Sequence, residues 1–269
     1  MKRLLVKHQQ SLKEFLAQGL GISKNRAKEL IDSRNVFINN RRVWIATHTL
    51  KPGDVVELSF VEDERDVEPK VIYEDRYIIA VNKPPFLLSD KSKESLEEIL
   101  RQRYRNEDIK AIHRLDMETS GVIIFGKNYS VYQRFKQMWK DRSILKIYLA
   151  ISHNESLFST KMINSQIDGK EAISKVRLIK KGNGFSHFEV QIETGRKHQI
   201  RRHLSSIRHP IVGDKIYGIK KVEIPFLKSV RRHMLHAYKL QFIHPFTGEK
   251  ISLKAQVPAD FMSVLHYLK

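Results

Sequence analysis

Two stretches of this sequence carry groups able to move protons or hold anions. The first is His113-Arg114-Leu115-Asp116-Met117-Glu118-Thr119-Ser120-Gly121, with Asp116 and Glu118 two positions apart. In an extended segment both carboxyls would face one side, a pairing suited to general acid–base work. In a loop, the Asp, Thr, Ser and Gly residues fit a hydrogen-bonded turn better. The second is Thr194-Gly195-Arg196-Lys197-His198-Gln199-Ile200-Arg201-Arg202-His203-Leu204. From Thr194 to Gly213 there are five Lys+Arg, three His and no acid. His198 and His203 have the wrong helical spacing for a shared metal, and no carboxylate joins them. A basic helix end facing phosphate is the better reading. An arginine buried there instead demands a carboxylate partner.

Both stretches need a rigid scaffold, because loops at strand ends are where a sheet displays reactive groups. Apolar patterning predicts strands at Val71–Tyr73, Tyr77–Val81, Val122–Phe125, Ile147–Ile151, Val176–Ile179, Phe188–Ile192, Leu235–Phe242 and Ile251–Lys254. Helical periodicity runs through Leu96, Ile99, Leu100 and Tyr104, and again through Val131, Phe135, Met138 and Trp139. Lys181-Gly182-Asn183-Gly184 reads as a hairpin turn. With too few helices to cross over between every strand pair, the fold class is α+β with a mixed, largely antiparallel sheet flanked by helices.

Residues 1–60 form a separate small α+β unit. Leu12, Phe15, Leu16 and Leu20 share one helix face that stops at Gly21, and Ser23 starts a second helix with Ala27, Leu30 and Ile31 inward. Val36–Ile38, a turn at Asn39-Asn40, a return over Arg41–Trp44 and a strand Val55–Leu58 follow. Eleven Lys+Arg against five Asp+Glu give this unit a charge of +6, with Lys24, Arg26, Lys28, Arg41 and Arg42 as candidate contacts to a polyanion. The run VEDERDVEPK, residues 61–70, is acidic and self-repelling, hence a linker before residues 71–269.

The whole chain of 269 residues has 49 Lys+Arg against 30 Asp+Glu, a net charge of +19. The usual partner for such an excess is a polyanion, with nucleic acid preferred over an anionic membrane surface. Without cysteine there is no disulfide, thiolate nucleophile or Cys-ligated metal. No stretch nears the roughly 18 apolar residues of a membrane span, and the amino-terminal residues lack the apolar core of a secretory signal. The expectation is a soluble, cytoplasmic protein.

His113-Arg114-Leu115-Asp116 followed by Thr119-Ser120-Gly121 resembles the signature of the large-subunit ribosomal RNA type of pseudouridine synthase. Further matches come in that family's order: Val81-Asn82-Lys83-Pro84, Ile147-Tyr148-Leu149-Ala150, Thr194-Gly195-Arg196 with His198-Gln199-Ile200-Arg201, and His209-Pro210-Ile211-Val212-Gly213-Asp214. Leu235-His236-Ala237 and His244-Pro245 continue the pattern. Ahead of them, Gly21-Ile22-Ser23-Lys24-Asn25-Arg26-Ala27 through Lys51-Pro52-Gly53-Asp54 is similar to the S4-like RNA-binding domain, which commonly precedes this catalytic domain.

The resemblance implies the pseudouridine synthase fold and an isomerase that needs neither cofactor nor metal. It implies Asp116 as the nucleophile or general base, Tyr148 as the ring that stacks on the target uracil, and Arg201 as the ion-pair partner of Asp116. It implies Arg114 as the side chain that fills the gap left by an extruded base. Lys83, Arg196, Lys197 and Arg202 complete the set of expected RNA contacts. The implied partner is RNA, ribosomal RNA or a pre-ribosomal particle, with no membrane and a monomeric protein. The reaction moves the sugar from nitrogen 1 to carbon 5 of uracil, so nothing is oxidised and a carboxylate, a stacking ring and a counter-charge suffice. The residues fit attack on the sugar, attack on the base, or removal of a sugar proton equally well.

Two departures stand out. A small residue, often Gly, is usual near Phe86, and Ser89-Asp90-Lys91 replaces a usual His-Pro. The alternative function is a non-catalytic RNA-binding or ribosome-assembly factor that keeps the fold, against which intact Asp116, Tyr148 and Arg201 argue.

Overall fold

The structure, a computed structural model, describes residues 2–32, 36–39, 41–58, 69–219, 224, 227 and 230–268. The side chains of Arg26, Arg41 and Arg42 lie outside that description, as does the acidic run 61–68, which includes most of the expected linker. The chain divides into two compact units, Met1–Glu62 and Asp63–Lys269.

In the first unit the elements are β1 (Lys2–Leu5), β2 (Gln10–Ser11), α1 (Leu12–Leu20), α2 (Lys24–Asp32), β3 (Val36–Ile38), β4 (Arg41–Arg42), β5 (Thr49–Leu50) and β6 (Val55–Leu58). Ser11 caps α1 by accepting from the Glu14 amide, and Gly21 ends it with φ 66°. Leu12, Leu16, Ala27, Ile31, Val36, Leu50 and Val56 are buried in one apolar core between the two helices and an antiparallel sheet ordered β1-β6-β3-β4. The helix pair and the strands Val36–Ile38 and Val55–Leu58 match the sequence expectation. β1, β2 and β5 were not foreseen, being too short or too mixed for a period to show.

The second unit begins with β7 (Lys70–Glu74), one residue inside the stretch expected as linker, and β8 (Ile78–Lys83). It continues with α3 (Leu96–Tyr104), β9 (Lys110–Ala111), β10 (Ser120–Gly126), α4 (Tyr129–Lys140), β11 (Leu145–His153), β12 (Thr160–Ile167) and β13 (Lys170–Gly182). β14 (Phe185–Ile192), α5 (Gln199–Ser206), β15 (Leu235–Ile243), β16 (Lys250–Lys254) and α6 (Ala259–His266) complete it. One mixed sheet runs β12-β13-β14-β11-β15-β10-β8-β7, with β16 added on β15 and β9 on β10. Among these strand pairs only β10 with β15 is parallel.

That parallel seam explains Gly121, which pairs with Ala237 at φ 121°. A Cβ there would lie 2.2 Å from the Ala237 carbonyl oxygen, so the strands meet only because position 121 has no side chain. The sheet buries both faces. One carries Leu96, Leu115, Tyr148, Ile200, Leu204 and Phe261, the other Ile78, Val122, Phe135, Leu240 and Leu253. Helices α3, α5 and α6 thus cover the face that holds Leu115 and Tyr148, while α4 covers the opposite one.

Candidate active site

Asp116 stands in the loop between β9 and β10, which contacts from several elements hold in place. Ser89 Oγ donates to the Leu115 carbonyl and accepts from the Leu115 amide, both at 3.1 Å. The Phe86 amide donates to Met117 O at 2.8 Å, and the Thr119 amide closes a turn onto Asp116 O at 3.0 Å. His113 stacks on Trp139 with ring centroids 4.2 Å apart and accepts from the Ile124 amide at 3.2 Å. Burial, reinforced by Lys146 and Lys136, pushes that imidazole down to about 3, so it stays neutral as an acceptor must.

The loop geometry decides against a carboxylate pair. Asp116 turns to Arg201, whereas Glu118 turns to Lys215 Nζ at 3.1 Å, the His233 amide at 3.1 Å and His233 Nδ1 at 3.2 Å. Burial alone would raise the Glu118 carboxyl, but the His233 and Lys215 contacts outweigh it and bring it to about 2. Behind the loop, Arg232 is fully buried, pairs with Asp260 at 2.6 and 2.8 Å, and donates to the Glu118 carbonyl at 3.2 Å.

Arg201 comes from α5 and has 5% of its side chain exposed. Its Nη1 donates to Asp116 Oδ2 at 3.0 Å, and its Nε and Nη2 donate to Asp214 at 2.6 and 2.9 Å. The Asp214 side chain is 0% exposed, that of Asp116 32%. One guanidinium therefore bridges an inner carboxylate and an accessible one, 85 residues away in sequence. Burial works against the Arg201 charge, but the bonds to Asp214 and Asp116 hold it more firmly protonated than usual. Burial likewise opposes the Asp214 charge, and Arg201 together with the Tyr217 and Ile216 amides keeps it well below the usual carboxylate range.

Tyr148 sits at a bulge where the β11–β15 register slips between Ile147 and Tyr148, a device that re-aims a side chain. It is buried, and burial followed by the nearby Asp116 charge pushes its phenol far up, so it stays neutral. Asp116, Tyr148 and Arg201, expected as a trio from three separate segments, thus converge. The arrangement offers an accessible carboxylate fixed by a buried cation, beside a neutral aromatic ring.

The other expected residues fare differently. Arg114 is 58% exposed and ion-pairs with Asp90, at 2.7 Å, the residue that replaces the usual His-Pro. Phe86, in place of a small residue, adopts φ 64°, the left-handed conformation that glycine takes at least cost. Arg196 Nε donates to Glu171 O at 2.9 Å, Arg202 pairs with Asp168 at 2.9 Å, and Lys197 is exposed. Lys24 pairs with Glu14 at 3.2 Å, and Lys28 is exposed.

Lys83 is a correction. It is 0% exposed, and its ammonium donates to Pro84 O and Leu87 O at 2.9 Å and to Met117 O at 3.1 Å. It ties the loop after β8 to the Asp116 loop and reaches no phosphate. Burial and the Arg232 charge pull it toward about 7 against the pull of Asp116, yet three N–H bonds require the protonated form.

Sequence reasoning gives no role to Asp214, Tyr217, Arg232 or His233. A signal existed for Asp214: an acid-free run around a buried arginine needs more than one exposed carboxylate to balance it, and Gly213 precedes Asp214 at φ 77°. A Cβ on Gly213 would lie 2.1 Å from the Arg232 carbonyl oxygen.

An accessible carboxylate held by a buried cation, in a chain of net charge +19, suits an enzyme that acts on a polyanion. Comparison with known proteins agrees. Residues 77–206 match the family model of RNA pseudouridylate synthase, and residues 11–56 that of the S4 domain. A Helicobacter pylori (strain J99) protein described as an uncharacterized RNA pseudouridine synthase is 30% identical over 97% of this chain and 90% of its own length. The ribosomal large subunit pseudouridine synthase D of Xylella fastidiosa is 28% identical over 92% of this chain and 85% of its own. Among solved structures, human RNA pseudouridylate synthase domain containing 1 superimposes with a TM-score of 0.59 at 26% identity, covering 71% of this chain and 84% of that one. The chain belongs to the RNA pseudouridine synthase family, and it isomerises uridine to pseudouridine in RNA.

Proposed function

We propose that Asp116 is the carboxylate that acts on the target nucleotide, as nucleophile or general base, with Tyr148 stacking on the uracil and Arg201 holding Asp116 in place. The observation that carries this reading is the Arg201 bridge, 3.0 Å to accessible Asp116 on one side and 2.6 Å to buried Asp214 on the other. A buried pair with a second, partly exposed acid attached is costly to build for stability alone, whereas it suits an acid that must stay oriented. A glycosidic bond in a stacked helix is out of reach, so the target nucleotide is extruded before reaction. Exposed Arg114, at the edge of the same loop, fills the space that the base leaves, after exchanging Asp90 for RNA.

The substrate is large-subunit ribosomal RNA in the cytoplasm. Relatives named as ribosomal large subunit pseudouridine synthases support this. So does the basic amino-terminal unit, whose Lys24 and Lys28, with Arg26, Arg41 and Arg42, add phosphate contacts to those of Lys197, Arg196 and Arg202. The enzyme works as a monomer. The test is a map of pseudouridine in total RNA from cells lacking the protein, complemented with wild type or with Asp116→Ala. One or more uridines of large-subunit ribosomal RNA should lose modification and regain it only with wild type. Restoration by Asp116→Ala would remove Asp116 from the chemistry, and loss confined to transfer RNA would overturn the ribosomal assignment.

A further inference from the structure

His198 has the wrong spacing to share a metal with His203. Its actual surroundings give it another task. His198 immediately precedes α5 with φ 55°, a left-handed backbone that turns its ring back toward the Asp116 loop. Its Nε2 lies 3.7 Å from Asp116 Oδ1, the carboxylate oxygen that does not bind Arg201. On the far side of the ring, Nδ1 lies 3.1 Å from the Tyr217 hydroxyl.

These contacts close a circuit. Arg201 binds Asp116 Oδ2 at 3.0 Å and Asp214 at 2.6 and 2.9 Å, and Asp214 Oδ1 accepts the Tyr217 amide at 3.0 Å. The Tyr217 ring lies 5.2 Å from the Arg201 guanidinium carbon, and its hydroxyl reaches His198, which faces Asp116 again. Both oxygens of Asp116 are thereby addressed from one rigid loop of contacts.

The hydrogen positions follow. A carboxylate only accepts, so the nitrogen facing Asp116 carries the hydrogen. In a neutral ring Nδ1 is then an acceptor, and the Tyr217 hydroxyl must donate to it. Burial, with Arg201 and Lys197 near, lowers the proton affinity of the ring more than Asp116 and Asp214 raise it, which favours the neutral form.

We propose that His198 is a positioning residue for Asp116, presenting Nε2–H to Oδ1, and that the Tyr217 hydroxyl fixes the tautomer that makes this possible. The proposal rests on the reading of Asp116 as the reacting carboxylate. With Arg201 bonded to one oxygen and His198 facing the other, the carboxylate has less freedom to swivel about its Cβ–Cγ bond when substrate enters. The 3.7 Å separation leaves room for the contact to tighten as the site closes.

The test uses the full-length enzyme on bulk RNA from cells lacking it, labelled with tritium at carbon 5 of uridine, and follows tritium release. His198→Asn keeps a residue at ease in the left-handed backbone and removes the Nε2 donor, whereas His198→Gln places an amide N–H near the lost Nε2. His198→Asn should lower kcat by about a hundredfold, the scale of a small misplacement of reacting groups, with KM changed less than about threefold. His198→Gln should recover at least about tenfold of that loss, a rescue that a merely structural role would not give. Tyr217→Phe should lower kcat by about tenfold alone and by nothing further in the His198→Asn background, since the two act as one unit. Wild-type turnover in His198→Asn, equal loss in the Gln variant, or additive losses with Tyr217→Phe would each overturn the proposal. Should His198→Asn fail to fold, His198→Gln decides with Tyr217→Phe alone and combined, because an amide has no tautomer for the hydroxyl to fix and the second change must then cost nothing. Asp116→Ala runs alongside: turnover in that variant would sink the reading of Asp116 itself, whatever the His198 series does.

Discussion

Asp214 holds Arg201 through two parallel N–H···O bonds of 2.6 and 2.9 Å, wholly out of solvent. The accessible Asp116 then takes the remaining guanidinium nitrogen at 3.0 Å. The inner pair is the fixed part of the site and Asp116 the working part. Asp214→Asn removes one charge from a buried pair, a change that typically costs about 3–5 kcal/mol because the partner stays charged and buried. We expect a lower thermal unfolding midpoint and, in the folded fraction at low temperature, turnover reduced about a hundredfold with RNA affinity little changed. Calorimetry with single-turnover tritium release checks both.

Three buried histidines make acid stability predictable. Burial lowers His113 to about 3, with help from Lys146 and Lys136, lowers His187 to about 4, and lowers His236 to about 4. In the unfolded chain each binds a proton near pH ~6.5. Between that pH and the folded values the unfolded state holds more protons, so stability is complete above pH ~6.5 and falls as pH drops. Each histidine contributes at most about 1.4 kcal/mol per pH unit. Urea unfolding at a series of pH values from 7 down to 4.5 should show the decline (about two and a half pH units). His187→Phe, which needs no proton, should flatten it. A stability independent of pH over that window would contradict the burial of these rings in neutral form.

Lys83 joins two loops through three carbonyls, Pro84, Leu87 and Met117. Lys83→Met keeps most of the packing and leaves those oxygens without their donor, at about 1–3 kcal/mol for each buried group left unsatisfied. The loss should appear as faster amide exchange at Phe86, whose N–H donates to Met117, and as lower turnover. RNA affinity should hold, because the ammonium faces no solvent.

Much of this fold was legible in the sequence, for physical reasons that also explain what was not. β6, β8, β10 and β11 announce themselves as short runs rich in β-branched residues, and α1 is bracketed by Ser11 and Gly21, so periodicity and caps carry them. β12 escaped because five of its eight residues are polar (Thr160, Lys161, Asn164, Ser165 and Gln166) and burial comes only every fourth position. α6 escaped because Pro258 opens it without a side-chain cap. In the site, Asp116, Tyr148 and Arg201 stand in recognisable motifs, and their convergence follows from sheet order. The charge of Lys83 misled, since sign alone does not say whether a cation meets a phosphate or three carbonyls. Glu118 and Asp116, two positions apart, part company because a turn rather than a strand links them.

The measurement closest to the centre of this account is single-turnover tritium release by Asp116→Asn, paired with the affinity of the same variant for RNA. The neutral amide keeps the size of the side chain and loses its charge. The account predicts release reduced by at least about 10⁴-fold, the upper scale for a lost general base, with affinity within about threefold of wild type. Release within about tenfold of wild type, at equal affinity, would contradict it.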